Sequence, residues 1–206
     1  MMFTIKKESK HLFLLQKKFD IIQNLCYNGD IRNKGGNFML LSLDLSTKSS
    51  GFAIFDGDKL VKSGCITSAS TDMIKRIHIM IDGIQTLLDN YLDIDTIVVE
   101  EVRPEGGYGV GNQKTHKALM YLQAALEFLV HDNYSKKVKI EYIYPSSWRA
   151  AIGIKTGRGV KRTSLKEQDI DFVKEHFGLD VNDDEADAIC IGFAQNQKVE
   201  TEINWE

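Results

Sequence analysis

With 206 residues, 43% of them apolar and 27% charged, the chain is long enough for one well-buried core and too short for two ordinary domains plus linkers. The net charge of −3 gives no global sign of a nucleic-acid binder, and three widely spaced cysteines, Cys26, Cys65 and Cys190, argue against a disulfide framework or a thiolate metal site and for a reducing, cytoplasmic setting. The longest early apolar stretch, residues 11–25, is interrupted by Lys17, Lys18 and Asp20, so neither a membrane span nor a signal-peptide core is expected there.

Residues 1–38 hold seven Lys or Arg against three acids, a surplus of +4 that leaves −7 on residues 39–206. Two readings of this extension stand. It is a basic amphipathic arm, or it is translated leader ahead of a start at Met39, since Lys34-Gly35-Gly36-Asn37-Phe38-Met39 can be encoded by a purine-rich ribosome-binding sequence just before a start codon. Residues 39–196 carry the pattern of one α/β domain, and 197–206 form a short tail.

From Met39 apolar residues alternate, with Leu41, Leu43 and Leu45 on one side and Ser42, Asp44 and Ser46 on the other, the period of a strand. The runs SGFAIFDG and KLVKSGCITS, joined at Asp56-Gly57-Asp58, predict two more strands in an antiparallel set. Ile74, Ile77, Ile81, Ile84, Leu88 and Tyr91 recur at helical spacing, and Asp95 to Glu100 then read as a buried strand. A loop with Gly106, Gly107, Gly109 and Gly111 leads to a helix over about 112–131, whose apolar residues on more than one side suit a core position or a dimer interface. A fifth strand, KVKIEYIY, precedes Pro145, and Trp148 is expected to pack as core. Ser164 to Glu167 form a capping-box pattern ahead of a stripe of Ile170, Val173 and Phe177, and Gly178 is a natural stop. The last helix begins near Asp183, capped by Asn182 or by Asp183 itself. The expected architecture is an α/β fold with a five-stranded mixed sheet, three antiparallel strands followed by two parallel ones, flanked by helices.

Four carboxylates stand out against this plan: Asp44 in LLSLDLS, Glu100 at the end of TIVVEE, and Asp184 and Asp187 in DDEADAICIGFA. Acids rising from apolar strands and an apolar helix require something cationic to meet them. If the fourth strand packs beside the first, Asp44 and one of Glu100 or Glu101 come side by side, a choice that periodicity alone leaves open. Asp184 and Asp187 are three apart and share a helix face. Acids in a first helical turn also suit the macrodipole, an explanation weaker for Asp187 because residues 188–194 carry no charge and imply burial on all sides. Hard oxygen ligands suit Mg²⁺, with Mn²⁺ able to substitute, rather than zinc.

The segments LLSLDLSTKSSGFAIFD, IVVEEV, the Gly-Ile-x-x-Gly-x-Gly-x-Lys loop at 153–161 and DDEADA together resemble the RuvC family of Holliday-junction resolvases, particularly its phage-type members, within the RNase H-like superfamily. The resemblance spans about residues 39–196. It implies that Asp44, Glu100, Asp184 and Asp187 are catalytic and hold two Mg²⁺ ions. It implies a homodimer that cuts opposing strands of four-way and other branched DNA in the cytoplasm, that of a bacterial host if the protein is phage-encoded, without a nucleotide cofactor and away from membranes. It also implies a catalytic lysine near the basic loop, for which Lys161 is preferred and Lys166 is the alternative. The wider basic set Lys155, Arg158, Lys161, Arg162 and Lys166, spaced by glycines, is expected to touch DNA phosphate. The loop after Glu100 contributes Arg103, Lys114 and Lys117 to the backbone, with Tyr108 stacking on an unpaired base.

Three rivals remain at this level. The run LDLSTKSSGFAIFD also resembles the phosphate-binding hairpin of actin-like ATPases, although a second such hairpin is missing, and Gly106 to Gly111 followed by Asn112 fails as a Walker motif. An RNase H acting on RNA–DNA hybrids would use the same carboxylates. A non-cleaving binder of branched DNA would need fewer of them.

Overall fold

The alternating strand runs assemble in the order β3-β2-β1-β4-β5. A computed structural model describes residues 39–102, 110–134, 137–157 and 159–203, with side chains except those of 110–112 and 198–203. In chain order the elements are β1 (Met39–Asp44), β2 (Ser49–Asp56), β3 (Lys59–Thr67), α1 (Met73–Asn90), β4 (Ile94–Glu100), α2 (Val110–Tyr134), β5 (Lys139–Ile143), α3 (Pro145–Ala151), α4 (Arg162–Phe177) and α5 (Asp183–Ile203). β1 to β3 pair antiparallel, while β4 runs parallel to β1 and β5 parallel to β4. These described residues lie in one compact unit, Asn37–Glu206.

β1 and β4 form the centre of the sheet and are covered on both faces, which is why Leu40 to Leu43 and Thr96 to Val99 are all buried. α5 lies across one face. Its uncharged run turns Ala186, Ala188, Ile189, Cys190, Ile191 and Ala194 inward to meet Phe55, Val98, Trp148 and Val173. Close approach depends on small residues. A Cβ at Gly192 would sit 2.4 Å from the Phe55 ring and 2.6 Å from Ser42 Oγ, and Ser42 Oγ donates to the Ala188 carbonyl at 2.7 Å. The inward serine thus satisfies its own hydroxyl where an alkyl side chain would hold the helix away.

Several boundaries differ from expectation for physical reasons. In α1 the buried face is Ile77, Met80, Ile84, Leu87 and Leu88, and Ile74 in the first turn is exposed. α3 is a short helix that the strand-like KVKIEYIY run obscured, although Pro145 occupies its first position, where a missing N–H costs nothing. α4 starts at Arg162 with Lys161 as its cap and no side-chain capping bond, so the Ser164 capping box is not used. Ser164 instead lies inside the helix, its carbonyl accepting from Gln168 Nε2 at 3.0 Å. Gly178 ends α4 at φ 69°, in the left-handed region that favours glycine. At α5, Asn182 Oδ1 accepts from the Glu185 N–H at 2.9 Å, which makes Asn182 the side-chain cap.

α2 packs into the core along one side. Ala118, Leu122, Leu126, Leu129 and Val130 are buried, whereas Tyr121 and Phe128 stand exposed on another side. Cys65 and Cys190 are free thiols, and Cys26 lies outside the described residues. Among the described residues, no helix is long and apolar enough to cross a membrane.

Candidate active site

The register of β1 and β4 decides which of the adjacent glutamates meets Asp44. Leu43 aligns with Val99 and Ser42 with Val98, so the next step places Asp44 level with Glu100, on the sheet face covered by α5. Glu101 lies beyond the strand, its N–H donating to the Ile143 carbonyl at 2.9 Å. On its other side Asp44 pairs with Gly51. A Cβ on Gly51 would fall 1.8 Å from the Asp184 carbonyl oxygen, so the first turn of α5 rests directly on β2 backbone. That contact brings Asp184 and Asp187 over Asp44.

The electrostatics record this convergence. Burial is the main cause that raises the Asp44 carboxyl to about 7, with the charges of Glu100 and Asp184 adding to it and Lys166 and Arg149 opposing. Burial likewise pushes Glu100 up, against a hydrogen bond from Trp148 and the field of Arg149. Asp187, only 8% exposed, is raised to about 9 by burial, then by the neighbouring Asp169 carboxyl and the Asp44 charge. These acids would shed much of this cost if a cation joined them.

Two side chains from α3 hold this group from below, and sequence reasoning identified neither role. Trp148, fully buried as expected of core, also donates from Nε1 to Glu100 Oε2 at 2.8 Å. Arg149 lies 4.1 Å from the Trp148 ring centroid, donates from Nη2 to Asp169 Oδ2 at 3.0 Å and approaches Asp187 Oδ1 at 3.6 Å. Asp169 is completely buried on α4, and its Oδ1, like Asp187 Oδ1, has no hydrogen-bond partner. A readable signal existed. Asp169 shares a helix face with Lys166 and the buried Val173, three and four residues away, which marks it as an inward-facing acid.

The two lysine candidates occupy different settings. Lys161 is exposed at the start of α4. Lys166 is half-buried and forms an ion pair with Asp183. Burial opposes its charge, but that bond and the fields of Asp183, Asp187 and Asp184 outweigh it and hold the ammonium above its usual value. Of the other basic residues, Lys155 and Arg162 are exposed around the same end of α4, and the Arg162 charge is felt at Glu100. Lys114 and Lys117 are exposed on α2, with Lys117 Nζ 5.5 Å from the Tyr121 ring centroid. Arg103, Tyr108 and Arg158 lie outside the described residues.

The four acids therefore share one neighbourhood without forming a finished cage. Among the described residues, no group of three or more His, Cys, Asp or Glu side chains is arranged to hold a metal ion as it stands. The cause is visible in the partners: Glu100 is drawn to the Trp148 indole and Asp187 lies between Asp169 and Arg149. The Asp187 oxygen that makes no hydrogen bond, the mutual destabilisation of the acids and the all-oxygen donor set nevertheless suit hard divalent cations.

No protein-family model and no curated protein matches this chain. Among solved structures, Thermus thermophilus RuvC in complex with a Holliday junction substrate matches 80% of this chain and 96% of its own, with a TM-score of 0.61 and 12% identity. The yeast mitochondrial Holliday junction resolvase matches 82% of this chain and 83% of its own, with a TM-score of 0.53 and 16% identity. The chain has the RNase H-like fold of the RuvC resolvases.

Proposed function

We propose that this protein is a divalent-metal-dependent endodeoxyribonuclease that resolves four-way and related branched DNA junctions by phosphodiester hydrolysis. The observation that carries this reading is the meeting of Asp44 and Glu100 on adjacent central strands under Asp184 and Asp187 of α5, within a fold shared with junction resolvases.

Asp44, Glu100, Asp184 and Asp187 would hold two Mg²⁺ ions, or Mn²⁺ in their place. When bound, such ions supply charge stabilisation for an attacking water and for the leaving oxygen of a phosphodiester. Asp44, level with Glu100 and beneath the first turn of α5, would be a ligand together with Glu100 and Asp187, which would first turn from Trp148 and Arg149. Lys166, whose charge already reaches Asp44, is favoured over Lys161 as the ammonium that stabilises negative charge at the phosphate. Lys161 and the exposed Lys155, Arg162, Lys114 and Lys117 would follow the DNA backbone, with Arg103 and Arg158 kept in the same role and Tyr108 kept as a stacking partner for an unpaired base, all three from sequence.

Cutting two opposing strands requires two sites related by a two-fold axis. The exposed apolar side chains of α2, Tyr121 and Phe128, the latter 68% exposed, lie seven residues apart on one helix face and support a homodimer through this helix. Residues 39–196 are assigned as the nuclease domain, and the cytoplasm as the place of action.

The test incubates the protein with labelled four-way junction, replication fork, plain duplex and RNA–DNA hybrid, with Mg²⁺ or with EDTA. Paired cuts in the junction only with Mg²⁺ are expected. Equal cutting of plain duplex overturns junction selectivity, preference for the hybrid replaces it with an RNase H activity, and junction binding without cutting leaves a binding protein.

A further inference from the structure

A second polar site lies at the same edge of the sheet as the carboxylates. β1 ends at Asp44, and the turn after it leads into β2, whose first residue Ser49 pairs with Thr67 at the end of β3. Hence the β1–β2 turn and the segment from β3 into α1 meet at the edge where Asp44 and Glu100 emerge. Between them is a cavity of about 430 Å³ lined by Lys48, Ser68, Ala69, Ser70, Thr71 and Arg76. No acid lines it.

Its arginine is held in place before any ligand arrives. Arg76 donates from Nε to Thr47 Oγ1 at 3.2 Å and from Nη1 to the carbonyls of Ser70 at 3.3 Å and Thr71 at 3.0 Å, and none of these bonds uses Nη2. The Ser68 and Ser70 hydroxyls act as acceptors for the backbone N–H groups of Ser70 and Asp72, which leaves their own hydrogens to donate. Asp72 turns its carboxylate to the Lys75 N–H at 3.0 Å, capping α1. Among the described residues Lys48 Nζ takes part in no hydrogen bond or ion pair. Two cations, two hydroxyl donors and no lining acid favour an anion of phosphate size, and a fixed guanidinium loses little entropy in binding it.

We propose that this cavity is a subsite for a backbone phosphate of the DNA substrate, flanking the scissile position. The proposal rests on the reading of the protein as a DNA nuclease and adds Lys48 and Arg76 to its substrate track. Neighbouring strands are roughly 4.8 Å apart, so the end of β3 lies roughly 10 Å across the sheet from Asp44. That separation places the phosphate bound here within a few nucleotides of the cut.

The test measures binding of a labelled four-way junction and of plain duplex by anisotropy across a salt series. The full chain carries Asp44→Asn to prevent cleavage, alone or with Lys48→Ala, Lys48→Glu or Arg76→Lys, and cleavage is followed in the Asp44 parent. Lys48→Ala should keep the melting temperature, weaken binding about 3–10-fold and lower the slope of log K against log salt by about one. Lys48→Glu should weaken binding further, and Lys139→Ala, at a distant exposed lysine on β5, should change nothing. Unaltered affinity and slope in both Lys48 variants, while the parent binds and cuts, overturn the subsite and leave the nuclease reading intact. Weakening seen only in Arg76→Lys, together with a lower melting temperature, assigns Arg76 a purely structural role and overturns it too. Failure of the parent to bind any DNA removes both readings.

Discussion

Replacing Asp44 with Asn separates what this acid costs the fold from what it does for chemistry. In the folded protein its carboxyl is raised from an ordinary value of 3.8 to about 7, so between those values the native state binds a proton that the unfolded chain does not. Stability from this group is therefore greatest in acid and declines as pH rises through about 7. A shift of that size corresponds to roughly 4 kcal/mol at about 1.4 kcal/mol per unit. Partial exposure of Asp44 and its sharing of charge with Glu100 and Asp184 reduce the realistic effect to about 2 kcal/mol. Asn matches the shape and carries no charge, so at pH 8 in EDTA Asp44→Asn should melt about 4–8 °C above wild type. At pH 4.5 that advantage should nearly vanish. Adding Mg²⁺ should raise the melting point of wild type and have much less effect on the variant, which should bind junction DNA but not cut it. Differential scanning calorimetry at both pH values, with a cleavage assay, checks all of this. A variant no more stable than wild type at pH 8, equally stabilised at both pH values, or fully active would refute the reasoning.

Other substitutions test the supports of the site. Gly51→Ala forces a methyl onto the Asp184 carbonyl; urea denaturation should show a loss of about 1–3 kcal/mol, with cleavage reduced because the first turn of α5 is displaced. Arg149→Met leaves Asp169 buried beside Asp187 without its cation, so unfolding should become about 3–5 kcal/mol easier, and adding Asp169→Asn should recover part of that loss. Trp148→Phe keeps an aromatic ring in the core but removes the donor to Glu100; a cost of about 1 kcal/mol should accompany a changed Mg²⁺ requirement for cleavage. Because Asp44 at about 7 and Asp187 at about 9 must lose protons before binding a cation, Mg²⁺ affinity measured by calorimetry should strengthen as pH rises from 6 to 9. Affinity independent of pH would mean that these carboxyls are not the ligands.

Much of the site could be read from the chain because strand alternation and helix spacing are local. The period-two run around Asp44, the continuous apolar run before Glu100 and the charge-free helix after Asp187 each mark an acid at an interior position. The Trp148 bond to Glu100 and the Arg149–Asp169 pair escaped notice because each joins residues 20 or more apart, and no local period connects α3 with β4 or α4. The capping box at Ser164 misled for the opposite reason: a valid local pattern is overridden where α4 extends back to Arg162. The sequence reading prefers Lys161, whereas burial beside Asp183 sets Lys166 apart.

By itself the sequence determined the five strands, the four longer helices and the four carboxylates on apolar faces from which the site is built, since backbone periodicity and the cost of burying charge operate over a few residues. Tertiary structure alone decided that Glu100 rather than Glu101 stands beside Asp44, that the glycine at 51 admits the first turn of α5, and that Arg149 and Trp148 restrain two of the acids. Those outcomes depend on strand register and on distances between elements far apart in the chain, which emerge only when the whole sheet and its covering helices pack together.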